Sequence, residues 1–384
     1  MPIERAKVHF RRTLPLDGGR LHFAAHSHHP WPDVSFDAHA RAWEDAAHML
    51  DAKWDYIFAA VWPAAQRAVA SVLSLPDPAT IAFGPNTHGF LLRILSCIAR
   101  SPIRILTTDA EFMSFTRQIA RLEEEGLVAV TRVPAEPFAT FDARFASAAR
   151  GGGHDLVWLS HVFYSSGFVA DLETAVEAVR DHDTVIVIDG YHGFMAVETD
   201  LQAFAGRIFY VSGGYKYAMT GEGACFLHCP PGYGLRPLDT GWYAGFGALT
   251  AGSSSVAYAE DGGRFLGATF DPSGLYRLGA VLEWCAAEGY TVTAQRRHAA
   301  DLAEKLGAHL RPGLLLDRSM LMLRPGDLRR GRFLTFRTDE AARIGETLRG
   351  RGVICDWRGD RLRLGFGIYQ DEDDVMALAG RLSA

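Results

Sequence analysis

The sequence predicts an α/β protein. Its large domain is built on a mostly parallel seven-stranded sheet flanked by helices, and a small α+β domain follows at the C-terminus. Three observations carry this reading. Between residues 80 and 230, short apolar runs alternate with polar, helix-prone segments, as strands joined by right-handed crossover helices do. Several of those runs are apolar throughout, as strands buried on both faces are. From about residue 294 the order changes to helix, strands, helix, strands, helix, which marks a second, smaller unit.

The expected strands of the large sheet are residues 80–83, 104–108, 128–133, 156–162, 184–189, 207–212 and 224–229, with helices at 116–126 and 172–181 between them. About eleven residues join the sixth strand to the seventh, too few for a crossover helix, so the last strand is expected to run antiparallel. Residues 274–289 read as a long helix leading out of the large domain. Helices at 299–309, 339–351 and 371–382 and strands at 353–357 and 361–366 then build the small one. The acids Asp371, Glu372, Asp373 and Asp374 stand at a helix start, where the dipole favours them. Residues 240–271, rich in Gly, Ser and Ala, read as long functional loops. The expected division is an N-terminal segment at 1–50, packing at the active-site mouth and the small domain, a large domain at 51–290 and a small domain at 291–384.

The chain has 384 residues, 48% hydrophobic and 22% charged, with a formal net charge of −6. The proportions suit a soluble globular protein, and the acidic balance argues against a nucleic-acid partner. The start, MPIERAKVHFRR, has no apolar core of a secretory signal. No apolar run approaches the ~20 residues of a bilayer span, so a cytoplasmic protein with no membrane partner is expected. Five scattered cysteines, Cys97, Cys225, Cys229, Cys285 and Cys355, do not suggest a disulfide framework. Cys225 and Cys229 alternate onto one strand face and His228 onto the other, so no metal site is expected there.

In open α/β sheets, ligands sit beyond the carboxyl ends of the strands. The residues with chemistry fall there: 84–90, 111–115, 160–166, 189–193 and 212–216. Lys216 stands between Tyr215 and Tyr217 behind Gly213 and Gly214, and Asp189 closes the apolar run that starts at Val185. A lysine amine for a Schiff base and a carboxylate for a protonated pyridine nitrogen are the two groups that a pyridoxal 5'-phosphate (PLP) site needs. His192 is placed to stack on the ring or to hydrogen-bond beside it. Asn86 and Thr87 open a helix whose free N–H groups suit a phosphate, with plain N-capping as the alternative. Phe112, just past a strand end, is placed to lie on a planar cofactor, with a core phenylalanine as the commoner alternative for any one such residue. Arg363 and Arg361 share one strand face, with Leu362 and Leu364 on the other; an arginine is the bidentate partner that a substrate carboxylate needs, with a solvated edge arginine as the alternative. The histidine-rich run 25–32, with His26, His28 and His29, is expected to line the active-site entrance, and no metal is assigned to it.

These segments, with Glu111-Phe112-Met113-Ser114, Ser160-His161-Val162-Phe163-Tyr164, Asp189-Gly190-Tyr191-His192, Gly214-Tyr215-Lys216-Tyr217, Gly241-Trp242-Tyr243 and Asp356-Trp357-Arg358 before Leu362-Arg363-Leu364-Gly365, resemble the class V aminotransferase family of PLP enzymes. Within it the likeness is greatest to kynureninases, from about residue 80 onward. The resemblance implies PLP fold type I and a homodimer with active sites at the subunit interface. It implies that Lys216 carries the cofactor, Asp189 pairs with its ring nitrogen and Phe112 stacks on it. Asn86, Thr87 and Tyr215 would contact the phosphate, and Trp242 and Thr269 would reach that of the neighbouring subunit. Arg363 would take the carboxylate of the amino-acid substrate, and His28, from the histidine run at the entrance, is expected to bind that substrate as well. The implied reaction is kynureninase-like hydrolytic Cβ–Cγ cleavage through an external aldimine. Transamination is the alternative. A cysteine desulfurase or selenocysteine lyase, or a silent PLP-binding protein, stands further off. Two segments depart from kynureninases: Ala24–His29 replaces an Asp-Gly-Asn-Ser-Leu-Gly-like stretch, and Thr269-Phe270-Asp271-Pro272 replaces a Thr or Asn followed by two prolines.

Overall fold

The apolar runs of the sequence become one sheet. In this computed structural model, which describes residues 2–16, 19–248 and 255–383, a short strand β1 (Leu21–His22) precedes seven others. These are β2 (Ile81–Gly84), β3 (Ile103–Thr108), β4 (Val128–Val133), β5 (Leu156–Ser160), β6 (Val185–Asp189), β7 (Ile208–Gly213) and β8 (Cys225–His228). They lie side by side in the order β2-β8-β7-β6-β5-β3-β4. Strands β4, β3, β5, β6 and β7 are parallel, and β8 runs antiparallel to both neighbours, as its short link requires. Every residue of β5 and of β7 is buried, which is why these strands read as unbroken apolar runs.

Helices cover the sheet: α1 (Asp33–Met49), α2 (Lys53–Tyr56), α3 (Trp62–Leu73), α4 (Thr87–Ser96), α5 (Met113–Glu124), α6 (Phe141–Gly151), α7 (Leu172–Ala178) and α8 (Ser273–Glu288). The helical run Asp33–Leu73 contains a window long and apolar enough to cross a membrane by length and composition. That corrects the expectation that no stretch would pass this test. Here the run is interrupted by a π-helical turn at Ile57–Val61, and both α1 and α3 pack against α8. Residues 249–254 of the expected loop stretch lie outside the described residues.

Beyond α8 come α9 (Val292–His309), β9 (Phe333–Arg337), α10 (Ala341–Gly350), β10 (Val353–Ile354), β11 (Asp356–Arg358), β12 (Arg361–Gly365) and α11 (Glu372–Arg381). Helix α9 begins earlier than expected because the Thr291 side chain caps it, accepting from the Ala294 N–H. The single strand expected at 353–357 is two strands. β10 pairs in parallel with β1, whereas β11 joins β12 and β9 in an antiparallel sheet. Asp371 and Asp374 form a reciprocal capping box at the start of α11. Leu362 and Leu364 are fully buried in a second core cluster with Leu302, Leu334, Ile344 and Leu378. Phe23 of the N-terminal segment joins that cluster, while Ala25 belongs to the core beneath the large sheet.

The turn that leaves β6 depends on a missing side chain. A Cβ on Gly190 would lie 2.0 Å from the Tyr210 hydroxyl, and Tyr210 is fully buried. Gly190→Ala is expected to cost about 1–3 kcal/mol by overpacking and to displace the 189–193 turn. A lowered midpoint of urea unfolding checks it, and an unchanged midpoint contradicts it.

Candidate active site

A cavity of about 220 Å³ opens at the carboxyl ends of β5, β6 and β7, and Asn86, Thr87, Phe112, Asp189, His192, Tyr215 and Lys216 all line it. Seven residues expected from the sequence therefore meet in one place, from four separate segments of the chain. Sheet topology brings them there: each follows the end of a strand, and the strands end on one edge.

Lys216 is 4% exposed, so its chain, not solvent, sets its charge. Its Nζ lies 2.6 Å from His192 Nε2, and 4.7, 5.2 and 5.6 Å from the ring centres of Tyr191, Phe112 and Tyr215. Burial pushes the amine down to about 7, Asp189 opposes that, and Arg363 and Arg358 add to it. Burial and the neighbouring Lys216 also hold His192 well below the usual histidine range. His192 is then neutral, and its Nε2 shares a hydrogen bond with the lysine amine whose direction follows the imidazole tautomer. Its Nδ1 is buried without a partner. Close approach explains the glycines before Lys216: a Cβ on Gly214 would lie 1.9 Å from Thr220 Oγ1.

Asp189 ends β6 and accepts the Tyr191 N–H at 3.0 Å through Oδ1. Burial pushes its carboxyl up, while that N–H and the charge of Lys216 pull it down. Asn86 Oδ1 accepts the Gly89 N–H at 2.9 Å, so Asn86 does cap α4. The same helix start, with Thr87 as its first residue, faces the cavity. Phe112 stands edge-on to Tyr164, with ring centres 5.6 Å apart.

The N-terminal segment crosses the cavity mouth. The His29 N–H donates to the Tyr215 carbonyl at 3.1 Å. The His28 ring stacks on Tyr215 at 5.3 Å, and its Nε2 lies 3.8 Å from Glu222. The expectation that the whole histidine run lines the entrance needs correction. His26 and His29 are 0% and 2% exposed. Ala24 bridges to Gly365 in parallel, which draws His26 beneath the surface, where it stacks on Phe333 at 4.8 Å.

Arg363 sits on β12 outside the cavity lining. It is 4% exposed, and it donates to Asp356 and to the Tyr164 carbonyl. Its Nε is buried without a partner. Trp242 Nε1 donates to Thr269 Oγ1 at 3.2 Å, so the structure joins this pair, also away from the cavity. Ser160, Tyr164, Tyr191 and Cys225 line the cavity too, and behind them Glu111 is 3% exposed. The sequence reading gave none of these a role. The signal for Tyr191 and Ser160 was position alone, beside Asp189 and at a neighbouring strand end.

The backbone is that of the fold type I PLP enzymes. It superposes on C-DES, in a mutant with glycine covalently linked to its PLP cofactor, with a TM-score of 0.81 at 19% identity, covering 98% of each chain. A cysteine desulfurase from Thermococcus onnurineus NA1 gives 0.80 at 16% identity, covering 97% of this chain and 96% of that one. The chain belongs to the aminotransferase class-V family, whose model matches residues 57–378. Two curated relatives are isopenicillin N epimerases. That of Streptomyces clavuligerus is 26% identical, with 97% of each chain covered. That of Amycolatopsis lactamdurans is 27% identical over 251 residues, 62% of each chain.

The residues fit PLP, the cofactor of this family. Lys216 is a buried amine with no carboxylate in hydrogen-bond contact among the described residues. Asp189 is a half-buried carboxylate on the cavity wall that lacks a cation partner at that range among the described residues. The α4 N-terminus supplies N–H groups for a phosphate. The chain has four lysines, Lys7, Lys53, Lys216 and Lys305, so the amine can be read directly. Lysine acylation followed by peptide mapping of the cofactor-free protein should give Lys216 a midpoint near pH 7, because burial lowers it to about 7. Asp189→Asn removes the charge that favours the ammonium and should move that midpoint lower. A midpoint near the ordinary lysine value of ~10.4 would contradict the buried-amine geometry.

Proposed function

We propose that the protein is a PLP-dependent enzyme that takes the α-proton from an amino-acid substrate and returns it, with epimerisation at that carbon as the outcome. The carrying observation is the buried Lys216 amine, 2.6 Å from neutral His192, in the cavity that Asp189 also lines. The relatives named above support the outcome at Cα. When bound, PLP supplies an electron sink that acidifies the α-hydrogen.

The chain's own residues divide the remaining tasks. Lys216, poised near neutrality, accepts and returns the proton, and His192 orients its Nζ. Asp189 would hold the pyridine nitrogen, Phe112 one ring face, and Thr87, Tyr215 and the α4 N-terminus the phosphate. Arg363 would take the substrate carboxylate through its unpartnered Nε, while Asp356 holds the guanidinium in place. His28 would meet the substrate at the mouth. A second copy of the chain would bring its own Trp242–Thr269 pair to the neighbouring phosphate, completing a homodimer. The two core clusters support a division near residue 290, as the sequence pattern suggests.

Kynureninase-like cleavage rests on motif likeness alone, since the relatives named above are epimerases. A desulfurase requires a reactive thiol, and burial pushes the Cys355 thiol up to about 12, far from thiolate character near neutrality.

The test is to incubate the PLP-loaded enzyme with single-enantiomer amino acids in D2O. Deuterium should enter at Cα while enantiomeric purity falls, and Lys216→Ala should lose at least ~10²-fold in rate. Anthranilate released from kynurenine would replace this reading with the hydrolase. Keto-acid release with transfer of the amine to the cofactor would replace it with the transaminase.

A further inference from the structure

We propose that Glu111 is a positioning residue that sets, through the Ser160 hydroxyl, whether the β5 side of the cavity offers a hydrogen-bond donor or an acceptor to the cofactor's ring oxygen. The inference rests on reading the cavity as a PLP site.

Glu111 follows β3 and is nearly inaccessible, at 3% exposure. Thr108 Oγ1 donates to its Oε1 at 2.7 Å, and the Ser160 N–H reaches the same oxygen at 3.2 Å. Ser160 Oγ lies 2.5 Å from its Oε2. Ser160 is the last residue of β5, in register with Asp189 on β6, and it lines the cavity. A carboxyl group behind the wall thus touches the cavity through one hydroxyl.

The strand order says which part of the ligand that hydroxyl meets. Asp189 on β6 marks the pyridine nitrogen. The phosphate side lies toward β2, at the start of α4, across β7 and β8. In PLP the phosphate arm and the ring oxygen leave opposite sides of the ring axis. The ring oxygen therefore falls on the β5 side, where Ser160 stands.

A hydroxyl has one hydrogen to give. With Glu111 ionised, that hydrogen goes to Oε2, and Ser160 presents lone pairs to the cavity. With Glu111 protonated, the carboxyl donates to Ser160 Oγ, and the hydroxyl hydrogen turns toward the ring oxygen. One proton exchanged with solvent separates the two states, and no other reactant is consumed. Burial pushes the Glu111 carboxyl up to about 7, the Ser160 and Thr108 donors oppose this, and the charge of Asp189 adds to it. Asp189 is the charged group that faces Glu111 from β6. Lys216, Arg358 and Arg363 act one step further off, Lys216 directly on Asp189 and the arginines on Lys216. Both hydrogen-bonding states are accordingly accessible near neutral pH.

The experiment follows the visible absorbance of the bound cofactor in the holoenzyme against pH. Glu111→Gln keeps the shape and cannot ionise; Ser160→Ala removes the link and leaves Glu111 in place. Each should move the titration midpoint by about one pH unit or more. The double variant should move it no further than Ser160→Ala alone, because both act on one path. Additive shifts, or midpoints within about 0.3 unit of the unmodified protein, would overturn the proposal. If Glu111→Gln fails to fold, the Ser160→Ala midpoint decides, since an unshifted value there excludes the link. Absence of any visible band in the unmodified protein with added PLP would sink the cofactor reading itself, which is a different failure.

Discussion

Holding Lys216 out of water is the constraint around which the site is arranged. A buried ammonium is costly unless it is paired, and here the structure supplies rings and a neutral imidazole in place of a carboxylate. Tyr191, Phe112 and Tyr215 lie around Nζ at 4.7 to 5.6 Å, and His192 takes its hydrogen bond. Asp189 is near enough to influence the amine and too far to neutralise it in an ion pair. Both groups are consequently pushed toward their neutral forms, the amine by a fall in its affinity for protons and the carboxyl by a rise. Each is restored by a partner that brings the missing charge or bond, and a pyridinium ring with a reactive carbonyl carbon brings both. The glycines serve the same end, since Gly190 and Gly214 let Tyr210 and Thr220 approach where any side chain would collide.

Much of this was legible in the sequence for one physical reason. Strands buried on both faces are written as unbroken apolar runs, so their carboxyl ends, and the residues just beyond them, can be located without a structure. Lys216, Asp189, Phe112 and Asn86 were found that way. What stayed hidden depends on contacts between distant segments. Burial of His26 follows from the Ala24–Gly365 bridge, which spans most of the chain and leaves no local pattern. The division of residues 353–357 between two sheets has the same origin, because β10 takes its partner from β1 at the other end of the chain. Glu111 was passed over because an acid after a strand resembles any solvated loop acid until Thr108 and Ser160 are seen to enclose it.

The N-terminal segment ties the two cores to the cavity. Phe23 is buried in one core and Ala25 in the other. Three residues later His28 covers Tyr215, and the His29 N–H is bound to the Tyr215 carbonyl. Movement of β12 relative to the large sheet would be felt at the cavity mouth through these few residues. Arg363 and Asp356 lie on the paired strands β12 and β11, so the same movement would carry the expected carboxylate partner toward or away from Lys216. With Arg363 as the carboxylate partner, substrate binding and mouth geometry would in this way be mechanically linked.

Fold alone does not choose among the reactions this family scaffold supports; the choice lies in which group stands ready beside the reacting carbon. A desulfurase, which takes sulfur onto its own chain, needs a thiolate there. In this chain the cysteine that lines the cavity is Cys225. Its thiol is raised to about 11, first by burial, and Tyr191 lies against it at 3.4 Å. Cys355 is raised still further. The ready groups are instead nitrogen bases with depressed affinity for protons, Lys216 and His192. On the proposed reading these bases would move a proton at Cα, and among the outcomes of that transfer, returning it asks for no further reactant.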